Sequence, residues 1–178
     1  MILPLHGPCW RSRLDWLLAK YDLWSRYQPE ERAVAIFSAC VYGHTESAAT
    51  RLALLLLERG LNVRLYDVSH TPLSVMVGEA WRCSHIVCST TTYNNRLYPP
   101  MHDLLTDLKE LGLRGRVVGL IGNGSWVPQS PRVMQETFAA MKDMTVLEPV
   151  ITLKSSAKEE QEEQLSALAD ALAAANAE

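Results

Sequence analysis

The 178-residue chain has no excess of positive charge: 17 Lys+Arg against 20 Asp+Glu leave a net charge of −3. Proteins that grip nucleic acid or an anionic membrane surface carry a basic footprint, so no nucleic-acid and no membrane partner is expected. The four cysteines, at positions 9, 40, 83 and 88, form no CxxC pair. Their spacing suits neither a zinc site nor a disulfide framework, and reduced thiols in the cytoplasm are the expected state. No apolar run approaches a membrane span; the longest aliphatic stretch, "LALLLL", is closed in by Arg51 and Glu58. The start, "MILPLHGPCW", has no basic region ahead of its short apolar run and does not read as a signal peptide. There is no internal repeat, and the acidic, alanine-rich end reads as a solvated terminal helix. What is present is 48% hydrophobic content, enough for one well-cored domain with an appendage.

From residue 33 onward, short β-rich runs alternate with longer helical ones. "AVAIF" is continuously apolar, as a parallel strand covered on both faces must be, and "VRLYDV", "HIVCST", "RVVGLIG" and "TVLEPVITL" follow it. Helical spacing of apolar residues places helices near 45–59, 72–81, 99–112, 129–142 and 157–176, with Gly60 and Gly112 ending two of them. Strict βα alternation implies right-handed crossovers and helices on both faces of the sheet. The expected fold is therefore α/β: a three-layer, flavodoxin-like fold with a five-stranded parallel sheet in the order 2-1-3-4-5. In such sheets ligands bind beyond the carboxyl ends of the strands, beside the first one. Residues 1–28 stand outside this pattern as an N-terminal segment with an aromatic-rich linker helix, on which Leu14, Leu17, Leu18, Tyr21 and Trp24 can share a face. "QPEER" reads as a hinge, and residues 29–178 form the domain.

Three loops at the predicted ligand edge carry the candidate site. In the first, Cys40, Val41, Tyr42, Gly43, His44 and Thr45 lead from a buried strand into a helix. Gly43 permits an unusual backbone geometry and Thr45 offers a first-turn hydroxyl, so free N–H groups and the positive helix end make an anion site. The loop lacks the Gly-Lys of a nucleoside-triphosphate loop and is not GxGxxG; neutral donors suit a terminal monophosphate, as in FMN. The second loop supplies Thr91, Thr92, Tyr93, Asn94, Asn95 and Arg96: hydroxyls, a ring, and two amides able to read the edge of a heterocycle. The third supplies Asn123, Gly124, Ser125 and Trp126, with glycines for close backbone approach and a second ring.

These motifs resemble the flavodoxin-like domain of flavodiiron proteins. "VYGHTESAA" is similar to their Tyr-Gly-Asn-Thr-Glu phosphate loop, "TTYNNRLYPP" to their second flavin loop and "NGSW" to their third. The start, "ILPLHGPCWR", resembles the end of that family's β-lactamase-like domain. The resemblance implies an FMN-binding electron-transfer module that relays electrons to a diiron centre reducing O₂ or NO. It also implies a rubredoxin-like or NAD(P)H-dependent redox donor, a diiron domain or subunit as partner, and a homodimer. His6 matches a family iron ligand, but the other ligands have no counterpart here, so no metal is expected on this chain. Cys40 stands where the family has serine and Arg96 where it has glycine. A stand-alone flavodoxin-fold NAD(P)H:quinone-type reductase is the enzyme alternative, and a cofactor-free interaction domain stays open. A phosphoacceptor receiver domain is excluded, because "FSAC" and "CSTT" stand where its acidic residues belong.

Overall fold

A computed structural model describes residues 1–175. Its strands are β1 (Glu31–Ala39), β2 (Asn62–Asp67), β3 (Cys83–Tyr93), β4 (Arg96–Leu97), β5 (Val117–Asn123), β6 (Thr145–Val146) and β7 (Ile151–Leu153). The helices are α1 (Leu14–Ser25), α2 (His44–Glu58), α3 (Leu73–Arg82), α4 (Pro99–Glu110), α5 (Ser130–Ala139) and α6 (Glu159–Ala174). Parallel pairing runs in the order β2-β1-β3-β5-β6, and β7 also pairs with β5. This is the expected 2-1-3-4-5 order with its fifth strand divided. The division has a backbone cause: Pro149 has no N–H to give a ladder, so β6 and β7 pair separately with the two ends of β5.

Strand periodicity of two explains both cores. Ala33, Ala35 and Phe37 of β1 face one layer, where Met76 and Ala80 of α3, Met101, Leu104, Leu105 and Leu108 of α4, and Met134 and Phe138 of α5 close over them. Val34 and Ile36 face the other layer, where Ala48, Ala49, Leu52 and Leu56 of α2 meet Leu165, Leu168 and Leu172 of α6. Each fully buried aliphatic or aromatic side chain contributes about 1.5–3 kcal/mol, so this double-sided burial is what makes β1, β3 and β5 near-continuous apolar runs. Two ion pairs, Arg59–Asp170 at 2.7 Å and Arg51–Glu162 at 3.0 Å, bridge α2 and α6 on the outside.

Helices α2 and α4 end as expected at Gly60 and Gly112, where Leu61 N donates to Leu56 O and Leu113 N to Leu108 O. Helix α5 stops short of the expected 142, and the chain turns through Asp143 at φ +54°. The helix expected over 157–176 runs Glu159–Ala174, and position 176 lies outside the described residues. The antiparallel ribbon of β3 with β4 was not expected. Asn94 and Asn95, at φ +47° and +57°, form its two-residue turn, a conformation asparagine tolerates better than most residues.

In the N-terminal segment, Ile2 and Trp10 exchange backbone hydrogen bonds, and α1 contributes no buried residue. Of the expected apolar face, Leu14, Leu17 and Trp24 are half-buried while Leu18 and Tyr21 are exposed. Glu30 anchors the helix to the domain by accepting from Trp24 Nε1 at 2.6 Å and pairing with Lys20. Burial alone would raise the Glu30 carboxyl, yet these donors hold it below its ordinary value.

Candidate functional site

The carboxyl ends of β1, β3, β5 and β7 open onto a cavity of ≈ 720 Å³, within the range of small-molecule and cofactor sites. From the first loop it is lined by Cys40, Val41, Tyr42, His44 and Thr45; from the second by Thr91, Thr92, Asn94 and Asn95; from the third by Asn123, Gly124, Ser125 and Trp126. Three sequence candidates are not in the wall. Gly43 is the turn residue behind it, Tyr93 packs edge-on against Tyr98 with centroids 6.0 Å apart, and Arg96 sits opposite Tyr93 on the exposed ribbon. Two lining residues escaped the sequence reading, Val127 and Ser155. Ser155 follows the last strand, and the rule that ligands gather at strand carboxyl ends was the available signal for it.

Gly43 adopts φ +85°, a region other residues resist, and so turns the chain from β1 into α2. No side chain caps α2. The first-turn amides of His44, Thr45 and Glu46 therefore have no intrahelical acceptor, and the positive end of the helix dipole meets the cavity. The Cys40 thiol sulfur accepts the Gly43 amide at 3.0 Å, which folds the loop back on itself. Thr45 is 1% exposed; its carbonyl accepts from Ser89 Oγ at 3.3 Å, fixing α2 to β3.

The second and third loops are tied together through Ser130, the first residue of α5. Its amide donates to Thr92 Oγ1 at 3.0 Å and its hydroxyl lies within reach of the Thr90 and Asn123 carbonyls at 3.3 and 3.4 Å. Close backbone approach is real at both loop glycines. A Cβ on Gly122 would meet Pro131 N at 2.8 Å, and one on Gly124 would meet Pro128 Cα at 2.8 Å. On the rim, Tyr42 and Trp126 are 88% and 94% exposed, an unusual position for two large rings.

Among the described residues, no Asp, Glu, Lys or Arg lines the cavity. One end offers backbone N–H groups and hydroxyls, a neutral donor set that suits an anion; the rim offers flat apolar rings and side-chain amides. Among the described residues no group of three or more His, Cys, Asp or Glu is gathered as metal ligands would be, and His6 is exposed in the N-terminal segment. Among the same residues no helix is long and apolar enough to cross a membrane.

No family model matches the chain. It is similar to a nitric oxide reductase of Moorella thermoacetica, 26% identical over 153 residues that cover 86% of this chain and 38% of that protein. The flavodiiron protein from Giardia intestinalis superposes with a TM-score of 0.83 at 23% identity, covering 94% of this chain and 42% of that one. An archaeal flavodoxin superposes with a TM-score of 0.68 at 17% identity, covering 80% of this chain and 96% of its own. The chain thus spans about two-fifths of the length of the first curated relatives it matches. Its fold is flavodoxin-like, and what it matches is the flavodoxin-like domain of flavodiiron proteins.

Proposed function

We propose that the chain is the FMN-binding electron-transfer domain of a flavodiiron-type oxidoreductase. The observation that carries this reading is the cavity itself: an uncapped helix start and a threonine hydroxyl at one end, exposed rings and amides at the other and, among the described residues, no charged side chain between. Backbone amides of residues 44–46 and the Thr45 hydroxyl would hold the phosphate. Trp126 and Tyr42 would cover ring faces, while Asn94 and Asn95 would read the polar edge of the ring. Bound FMN supplies one- and two-electron redox chemistry; the residues of this chain bind it, orient it and shield it. Because Cys40 replaces a hydroxyl with a weak thiol donor, and its sulfur is engaged by Gly43, the phosphate contacts fall to the backbone and Thr45.

The names of similar proteins support the wider setting, in which electrons pass to a diiron centre that reduces NO or O₂ and is not gathered among the described residues. A rubredoxin-like protein or NAD(P)H reductase would be the donor, and the exposed aromatic N-terminal segment favours a homodimer in the cytoplasm. In this setting residues 1–28 are the remainder of the metal-binding domain and its linker. The test is an absorption spectrum followed by titration of the apoprotein with FMN and riboflavin. Charge-assisted hydrogen bonds are worth about 1.5–3 kcal/mol each, so even one lost phosphate contact makes riboflavin bind at least about tenfold more weakly. Equal affinities, or no flavin binding, would sink the proposal.

A further inference from the structure

Asn123 is 6% exposed at the end of β5, and its amide is held from two sides. Ser155 N donates to Asn123 Oδ1 at 3.0 Å, while Asn123 Nδ2 donates to Ser155 O at 2.9 Å. Ser155 sits at φ +76°, and because one partner is an N–H and the other a C=O, the pairing fixes which end of the amide is nitrogen. The second Nδ2 proton then goes to Thr45 Oγ1 at 3.1 Å. Thr45 can only accept in that bond. Its own hydroxyl proton is therefore free for another partner, and among the described residues it donates to none. A hydroxyl of a cavity-wall residue with one lone pair engaged from behind keeps its proton for a ligand.

We propose that Asn123 is a positioning residue: by donating to Thr45 Oγ1 it turns the threonine hydroxyl proton toward the cavity, and so favours the ionised phosphate of a monoester, which accepts a charge-assisted hydrogen bond, over a neutral hydroxyl, which accepts a weaker one. The inference rests on the reading that this cavity takes the phosphate of FMN. A neutral hydroxyl that could flip between donor and acceptor would bind phosphate and alcohol with less distinction. With both amide protons spent on Ser155 and Thr45, Asn123 shapes selectivity through Thr45 and gives no proton to the ligand.

The experiment is a double-mutant cycle on the apoprotein, read as the ratio of riboflavin to FMN dissociation constants. Thr45→Val should lower that ratio about tenfold or more, and Thr45→Ser should keep it within about twofold of the parent. Asn123→Asp keeps an acceptor for Ser155 N but has no proton to give, so the Thr45 hydroxyl turns to the carboxylate; adding Thr45→Val in that background should change the ratio less than about twofold. Asn123→Leu, which adds no charge, should lower the ratio and likewise shrink the effect of Thr45→Val. If Thr45→Val costs the same factor in all three backgrounds, Asn123 has no hold on Thr45 and the inference is overturned. An Asn123 variant that loses riboflavin as severely as FMN also overturns it, since that marks a scaffold residue. Failure of the underlying reading looks different: the parent protein itself would not prefer FMN.

Discussion

Replacing Arg116 tests how the domain is held at the end of the sheet opposite the cavity. Arg116 is 1% exposed and, among the described residues, has no carboxylate partner; it is surrounded by carbonyls. Its Nε donates to Ala80 O at 3.1 Å and its Nη2 to Trp81 O at 2.8 Å, both in the last turn of α3, where the helix dipole favours a cation. Nη1 donates to Tyr27 O at 2.7 Å, to Arg114 O at 2.8 Å and to Gly115 O at 3.2 Å. Burial pulls the guanidinium down to about 10, so it stays charged at neutral pH. One side chain thus ties the segment at Tyr27, the end of α3 and the approach to β5. Arg116→Met fills the volume but supplies no donor. Each buried carbonyl left without a partner costs about 1–3 kcal/mol, and water reaches all but the Ala80 contact in part; a total of about 3–5 kcal/mol follows. That is a large share of the ~5–15 kcal/mol by which a domain is stable. At about 2–4 °C per kcal/mol for this size, the melting midpoint should fall by roughly 6–20 °C. Urea unfolding should show a lower midpoint at unchanged m-value, since the exposed surface does not change. Arg116→Lys should recover little, because three donors on a compact ammonium cannot match the planar fork. If Arg116→Met unfolds within about 0.5 kcal/mol of the parent, the carbonyl cage does not stabilise the fold and the argument fails.

His85 is buried in β3, its Nδ1 2.6 Å from Ser84 Oγ and its Nε2 3.3 Å from Ala175 O; burial, aided by Arg32, holds its pKa below the ordinary value. The unfolded chain then takes up a proton near pH 6.5 that the folded chain refuses, so stability should hold above about pH 6.5 and fall as pH drops toward the lower folded value. His85→Gln should flatten that slope in urea midpoints taken from pH 7.5 to 5, and an unchanged slope would assign it elsewhere. Gly122→Ala drives a Cβ against Pro131, with backbone N at 2.8 Å, and should cost about 1–3 kcal/mol by displacing the start of α5. Gly119→Ala, which meets only Val87 Cγ2 at 3.2 Å as its tightest neighbour, should melt closer to the parent; the reverse order would contradict the packing argument.

The sequence announced the elements whose burial is two-sided. "AVAIF" reads as a covered strand because no residue in it can face water, and all five are fully buried. Elements governed by hydrogen bonding rather than burial were harder to read. "TVLEPVITL" looks like one strand by hydropathy, and only the missing N–H of Pro149 says that its ladder must break. The ribbon around Asn94 and Asn95 carried a turn signal, but Tyr93 and Arg96 beside it lack the alternating apolar pattern that marks a hairpin. Polar residues near a ligand edge serve the site, so they report poorly on secondary structure. Arg116 and His85 show the converse: charge and polarity suggest exposure, while the Ala80, Trp81 and Tyr27 carbonyls around Arg116 and the Ala175 carbonyl beside His85 come from distant segments.

The candidate site was legible at the level of loops and less so at the level of roles. The glycine and threonine of "YGHT" already suggested the proposed anion site, because a turn and a helix start depend on local backbone geometry. Asn123 was legible only as a polar residue in a glycine-rich loop, where an amide reads most simply as a contact to the ligand. Its actual partners come from residues 45 and 155, one before β3 and one after β7, and no pattern in sequence connects them. Once the fold has joined these segments, the direction of the Thr45 proton follows from counting donors and acceptors. The sequence supplies the hydroxyl, and the tertiary fold decides which way it donates.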